Sequence, residues 1–366
     1  MKQLVVSVTN DLTTDQRVHK ICTTLSKEGY RILLIGRELK TSVPITRAYK
    51  TARMTLLFKK GFLFYAEYNI RLFFKLLFIK KDILLANDLD TLLANYLIHK
   101  IFKTKLVYDS HELFTEVPEL VNRPRVQNFW LQIEKYILPK LKNAYTVSPS
   151  IASHYNKIYK TDFKIVMNTP AKRNVTPISF PFEVKNNKII IYQGALNKGR
   201  GLELIIETMQ YLKGVLFVII GGGDIVENLR EKVRLLDLES KIKFLGKKTP
   251  TELQNLTPLA DIGISLEEDL GLNYKYALPN KIFDYIHAKV PILISNLPEM
   301  SKITKRHTIG KTVTTRDPYK LAKLIEDIFD NQEQYNTWCK NLEKAAEEYT
   351  WEKESKKLKK IYANLQ

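Results

Sequence analysis

At 366 residues, with 45% hydrophobic and 27% charged residues, the chain can build two globular cores and is too apolar for a disordered polymer. Its two cysteines, Cys22 and Cys339, lack CxxC spacing, which excludes a disulfide framework or zinc finger and fits a reducing cytoplasm. The net charge of +19 is uneven, because residues 1–180 hold 29 Lys+Arg against 14 Asp+Glu, a net +15, leaving +4 for the remainder.

Met1-Lys-Gln runs straight into an apolar strand over residues 4–8, leaving no room for a secretion signal, so a cytoplasmic location is expected. Thr13-Thr-Asp-Gln16 has the form of a capping box, and Val18, Ile21, Cys22 and Leu25 follow at helical spacing. Further strands are expected at 31–35, 83–86, 106–108, 144–147 and 163–167, with helices between them. Residues 47–81 carry nine basic residues and one acid, Glu67, interleaved with aromatics. Glu67, Arg71 and Lys75 form one polar stripe and interrupt the apolar run over 62–79, so it is too broken to span a bilayer. That segment reads either as a buried crossover helix with its stripe in solvent, or as a helix dipping into an anionic membrane surface.

A polar, Pro-containing stretch over 171–187 separates this half from a second one of the same kind, with strands at 188–192, 215–220, 242–245, 261–266, 291–295 and 309–313. Thr249-Pro-Thr-Glu252 and Asp317-Pro318 mark helix starts, and residues 350–366 form a basic helix that can fold back on the first half. Apolar strands alternating with helices imply an α/β chain of two doubly wound parallel-sheet domains, over 1–170 (with 350–366) and 188–349, joined by the linker 171–187.

Ligands of such sheets sit beyond the carboxyl ends of the strands, where helix N–H groups face an anion. Gly194, Gly199 and Gly201 let the backbone approach a phosphate, with Lys198 and Arg200 as cations, and Gly221-Gly-Gly223 forms a second tight turn. Lys281 and Asp284 share one helix face, either as a surface ion pair or as a phosphate contact and a ribose-diol acceptor. Asp88-Leu-Asp90 has the form of a metal-binding DxD pair, but capping of a helix beginning near Thr91 explains it more simply. Zinc-finger, RRM and basic-recognition-helix signatures are lacking, so nucleic acid is not an expected partner.

The segments Asn10-Asp-Leu-Thr-Thr-Asp-Gln-Arg-Val-His19, Tyr108-Asp-Ser-His-Glu-Leu113, Tyr145-Thr-Val-Ser-Pro-Ser150, Gly194 to Gly201, Phe244-Leu-Gly246 and Lys281-Ile-Phe-Asp-Tyr-Ile286 occur in the order of landmarks in a bacterial surface-glycan subgroup. The chain therefore resembles glycosyltransferase family 4, of GT-B architecture. The resemblance implies two Rossmann-like domains facing a cleft, the first for acceptor and the second for a UDP- or GDP-sugar. It also implies retaining, metal-independent transfer of a hexose to a glycan or lipid-linked acceptor, with no cofactor beyond the donor. Carried over residue by residue, it assigns catalytic roles to His111, Glu268 and Arg200, and donor binding to Gly194, Lys198, Arg200, Gly222, Leu245, Gly271, Leu272, Lys281 and Asp284. Asn10, Asp11, Arg17 and Glu112 fall on the acceptor side. The family's first acid is either Glu267 or Glu268, since Tyr276 stands eight residues before Asp284. A peripheral position on the inner membrane face through residues 47–81, a nucleotide-sugar 2-epimerase, and a non-catalytic sugar-nucleotide binder complete the expectations.

Overall fold

The structure, a computed structural model, describes the chain except residues 14, 173–175, 177 and 366. It forms two compact units, Met1–Asn168 with Glu354–Gln366, and Thr169–Lys353. Part of the expected linker, 173–175 and 177, lies outside the described residues, as do Thr14 of the expected capping box and the last residue of the expected terminal helix.

In the first unit seven strands form one sheet: β1 (Gln3–Asp11), β2 (Arg31–Glu38), β3 (Lys50–Thr55), β4 (Ile83–Asn87), β5 (Lys105–Ser110), β6 (Ala144–Thr146) and β7 (Lys164–Ile165). Their order is β3-β2-β1-β4-β5-β6-β7, and every pairing is parallel. β4 is buried at all five positions, because helices cover both sheet faces and a central strand needs apolar side chains on each. β3 is an addition to the sequence reading. Its Lys50-Thr-Ala-Arg-Met-Thr55 buries Met54 alone, which suits an edge strand and leaves little apolar signal.

The second unit repeats the design with six strands: β8 (Lys188–Ala195), β9 (Val215–Gly222), β10 (Ile242–Gly246), β11 (Ile262–Ser265), β12 (Ile292–Ser295) and β13 (Gly310–Val313), ordered β10-β9-β8-β11-β12-β13 and all parallel. Its core joins Ile190, Phe217, Ile219, Ile264 and Leu293 to helix residues such as Leu202, Ile206, Leu321 and Trp338. Each sheet reverses its strand order once, between β1 and β4 and between β8 and β11. These switch points are where such sheets open a crevice at their carboxyl edge.

Helix starts follow local chemistry. Thr249 makes both bonds of its capping box with Glu252, and Asp317 accepts from the Lys320 N–H. The first helix, Gln16–Lys27, is capped by Asp15, whose carboxylate accepts from the Val18 N–H, and not by Thr13 as the sequence suggested. Thr13 instead turns its N–H and hydroxyl to Asp11, both at 3.0 Å. The terminal helix is Trp351–Ala363, and from Glu354 onward it belongs to the first unit. There the Tyr30 hydroxyl donates to the Tyr362 carbonyl at 3.1 Å.

The helix Gly61–Phe78 is only half buried. Phe64, Tyr68, Leu72 and Leu76 face the sheet, while Phe62 is 62% and Phe78 81% exposed, with Leu63, Ile70 and Phe74 also in solvent. The expectation of an apolar surface buried all round apart from its polar stripe is therefore corrected. Glu67 of that stripe is turned to the Leu57 and Phe58 N–H groups and to Arg71. No helix among the described residues is long and apolar enough to cross a membrane.

Candidate functional site

In the second unit the switch point brings the carboxyl end of β8 beside the loop after β11. Glu267 leaves β11 fully buried, and three groups converge on its carboxylate. Lys281 Nζ lies 2.8 Å from Oε1, Arg200 Nη1 3.8 Å from the same oxygen, and the Ser265 hydroxyl donates to Oε2 at 2.7 Å. Burial alone would raise the pKa of Glu267, but the Lys281 and Arg200 charges and the hydrogen bonds outweigh it and hold the carboxyl below its usual range. Two cations against one carboxylate leave the cluster with one net positive charge.

Lys281 is not the surface partner of Asp284 that helix spacing allowed. It is 8% exposed, lies 4.1 Å from the Tyr192 ring centroid and turns to Glu267. Asp284 accepts instead from Gln193 Nε2 at 2.8 Å, while Gln193 Oε1 accepts from the Thr257 hydroxyl at 2.7 Å. Arg200 stacks 4.8 Å from the Tyr274 ring centroid, and its Nε is buried without a partner.

Glycines set how closely the backbones approach. A Cβ on Gly221 would collide with the Gly194 carbonyl, and one on Gly201 with the Leu266 carbonyl, and both residues have positive φ. The Leu196 N–H donates to the Gly222 carbonyl at 3.1 Å, tying the two phosphate-type turns together. Lys198 is exposed at the tip of the first turn, and its carbonyl accepts from the Tyr274 hydroxyl. Gly271 starts the short helix Leu272–Tyr276, and Leu245 is half-buried in β10. Glu268 is half-buried and fixes the loop through its main chain, its N–H donating to the Gly199 carbonyl at 2.9 Å.

Sequence reasoning missed Arg316. Its guanidinium donates to the Leu266 carbonyl at 2.9 Å, the Glu267 carbonyl at 2.7 Å and the Ser295 hydroxyl at 3.2 Å, so it holds the backbone that presents Glu267.

The switch point of the first unit carries a chain of alternating charge. Asp88 follows β4 with φ 57° and ψ 168°, a region that strains any residue but glycine. It does not cap the helix Leu89–Phe102 as expected; its carboxylate accepts from the His111 N–H at 2.7 Å and lies 3.0 Å from His111 Nδ1. His111 Nε2 is 3.2 Å from Asp109, which Arg17 grips through Nε at 3.0 Å and Nη2 at 2.7 Å. Burial disfavours a charged His111, but Asp88 and Asp109 outweigh it and raise its pKa well above the ordinary range, so it sits here as an imidazolium. Burial is likewise overcome at Asp109, held below the carboxylate range by Arg17 and His111.

A 360 Å³ cavity opens beside this chain, lined by residues that include Asn10 and Glu112. Asp11 and Arg17 do not line it. Asp11 bonds to Ser42 and Thr13, and Arg17 is 4% exposed with Nη1 on the Val166 carbonyl. Asp90, inside the cavity wall, has its carboxyl pushed up to about 8 by burial and by the Asp88 charge.

Residues 177–345 match the family model described as glycosyl transferases group 1. The chain is 27% identical over 165 residues to a probable glycosyltransferase, WbjE, of Pseudomonas aeruginosa, across 43% of this chain and 40% of that one. The match thus spans less than half the length of that curated relative. Among solved structures, sucrose-phosphate synthase of Thermosynechococcus elongatus superposes with a TM-score of 0.83 at 14% identity, covering 100% of this chain and 99% of that one. Anabaena HepE in complex with UDP and glucose gives 0.76 at 14% identity, covering 100% of both chains. The fold is therefore the pair of Rossmann-like domains of GT-B glycosyltransferases, while the site residues stand on the geometry alone.

Proposed function

We propose that the chain is a retaining family 4 glycosyltransferase that moves a hexose from a UDP- or GDP-sugar to a glycan or lipid-linked acceptor, without a metal. The observation that carries the reading is the Arg200–Lys281–Glu267 cluster at the β8/β11 switch point, a fixed positive site within the group 1 segment. A nucleotide-sugar donor is supported further by HepE, a neighbour of the same fold solved with UDP and glucose.

The chemistry follows from charge. As the sugar leaves, negative charge builds on the diphosphate, and preorganised cations and N–H groups that bind it more strongly in the transition state lower the barrier. Arg200, with its unpartnered Nε, is the principal cation, and exposed Lys198 adds a second. Gly194 and Gly222 admit the phosphates, Leu245 faces the base, and Asp284 takes the ribose. Glu268 and the Gly271-Leu272 backbone hold the sugar hydroxyls, with Glu267 as the acid that fixes Lys281. His111 acts from the acceptor half as a cation, since both its ring nitrogens are engaged by carboxylates. In this reading the unit Thr169–Lys353 binds the donor and the other unit the acceptor.

The exposed Phe62, Leu63, Ile70, Phe74 and Phe78, beside Lys59 and Lys60, support a peripheral position on an anionic cytoplasmic membrane face. The test of the catalytic reading is a donor screen, with UDP- and GDP-hexoses incubated with glycan and prenyl-linked acceptors and the product anomer read by NMR. Transfer with the donor's anomeric configuration is expected. Donor turnover independent of any acceptor refutes the transferase reading.

A further inference from the structure

The first unit's cavity sits at the β1/β4 switch point, and its lining combines buried polar groups with basic side chains, alongside the carboxylates of Asp88 and Glu112. Asp90 and Asn87 are among the lining residues, and both are buried, at 7% and 1% exposure. The Thr9 hydroxyl donates to Asp90 Oδ2 at 2.6 Å and Asn87 Nδ2 donates to the Ser7 carbonyl at 3.0 Å, yet Asp90 Oδ1 and Asn87 Oδ1 have no partner. Buried polar atoms of this kind are costly to leave unmatched, so two groups stand ready to hydrogen-bond a hydroxyl, Asn87 Oδ1 as an acceptor and the raised-pKa Asp90 carboxyl as a donor.

The lining is also basic. Lys59 and Lys60 lead into Gly61, where the 18-residue helix Gly61–Phe78 begins with no side chain capping its free N–H groups. Arg37 joins them, its guanidinium 4.9 Å from the Phe64 ring centroid and its Nε buried without a partner. Helix N–H groups with three basic side chains bind a phosphate, and the Phe64, Tyr65 and Phe114 rings give the cavity an apolar wall for a sugar face. At 360 Å³ the space suits one or two sugar rings.

The geometry points to a phosphorylated sugar as the ligand of this cavity: hydroxyls on Asn87 and Asp90, and a phosphate or diphosphate on Lys59, Lys60, Arg37 and the Gly61 helix end. This deepens the proposed function and rests on its assignment of the first unit to the acceptor. It narrows that acceptor to a sugar bearing phosphate next to the ring, whether free or as the diphosphate of a prenyl carrier.

Calorimetric titration of the full chain tests it. UDP is added first, so that the second unit is filled, followed by glucose 1-phosphate, glucose, inorganic phosphate or a short-prenyl glucosyl diphosphate. Glucose 1-phosphate or the prenyl diphosphate is expected to bind at one site, at least about 100-fold tighter than glucose, with inorganic phosphate competing. Tighter binding of the prenyl compound assigns a lipid-linked acceptor, and tighter binding of the monoester a free one. Lys59→Ala/Lys60→Ala, both exposed and so safe for folding, should weaken binding about 10-fold or more. Asn87→Ala should weaken the sugar phosphate while sparing inorganic phosphate. Glucose binding as well as its phosphate, or the double lysine variant binding unchanged, overturns the inference. Failure of UDP to bind counts against the transferase reading alone, and the sugar-phosphate titration is then read without UDP.

Discussion

Replacing Lys281 by Met keeps the volume of the side chain but strands the fully buried Glu267 carboxylate. Breaking a buried ion pair by removing one partner costs about 3–5 kcal/mol, and the Arg200 charge 3.8 Å away places Lys281→Met near the lower end, at about 3 kcal/mol. For a unit of this size that is a fall in melting temperature of roughly 6–12 °C by calorimetry. Replacing both partners, as Lys281→Met/Glu267→Gln, removes the stranded charge and keeps the Ser265 contact, so most of the loss should be recovered. The pH dependence has a definite sign. Because the folded pKa of Glu267 is depressed, the pair's contribution is present at neutral pH and lost as pH falls through the carboxylate range, so the gap between wild type and Lys281→Met should shrink near pH 4. A single variant melting within about 1 °C of wild type, or a double variant as unstable as the two singles summed, refutes the reasoning.

Asp90 works in the opposite sense. Its folded pKa, about 8, lies above the unfolded value, so the folded state holds an extra proton between about pH 4 and 8 and stability declines as pH rises across that window, at up to about 1.4 kcal/mol per unit. Asp90→Asn should flatten that decline in urea unfolding measured from pH 5 to 9; an unchanged slope contradicts a protonated Asp90. Arg316→Ala removes three hydrogen bonds from a cation and should cost about 1.5–3 kcal/mol in denaturant unfolding, with an effect under about 0.5 kcal/mol showing that the loop holds itself. Phe74→Glu/Phe78→Glu, at exposed positions, should abolish salt-sensitive co-sedimentation with anionic vesicles while leaving melting unchanged; wild type that ignores lipid charge removes the membrane contact.

Strands with apolar runs were legible because a central parallel strand is buried on both faces, as in Ile83–Asn87. The edge strand Lys50–Thr55 was not, since one buried Met in six residues leaves no pattern. Motif spacing placed Arg200 and Lys281 in one region but could not choose between Glu267 and Glu268 as the acid beside them, because adjacent residues on a loop differ only in which way the tertiary structure turns them. Asp88 misled for a related reason: it precedes a helix, as caps do, yet its strained backbone aims the carboxylate at His111. Arg316 had no local signal, its acceptors lying 21 to 50 residues away in sequence. The long helix Gly61–Phe78 gave its stripe correctly, but hydropathy does not say whether a second apolar face meets protein or something else.

Transfer from a sugar nucleotide requires the second unit to grip a nucleotide diphosphate, and Arg200 is the residue proposed to do so. Titrating wild type and Arg200→Ala with UDP by calorimetry addresses this without knowledge of sugar or acceptor. One saturable site is predicted, weakened about 10- to 100-fold by loss of a charge-assisted contact of about 1.5–3 kcal/mol, with the melting temperature of the free protein little changed. UDP binding that is equally tight in the two proteins contradicts the assignment.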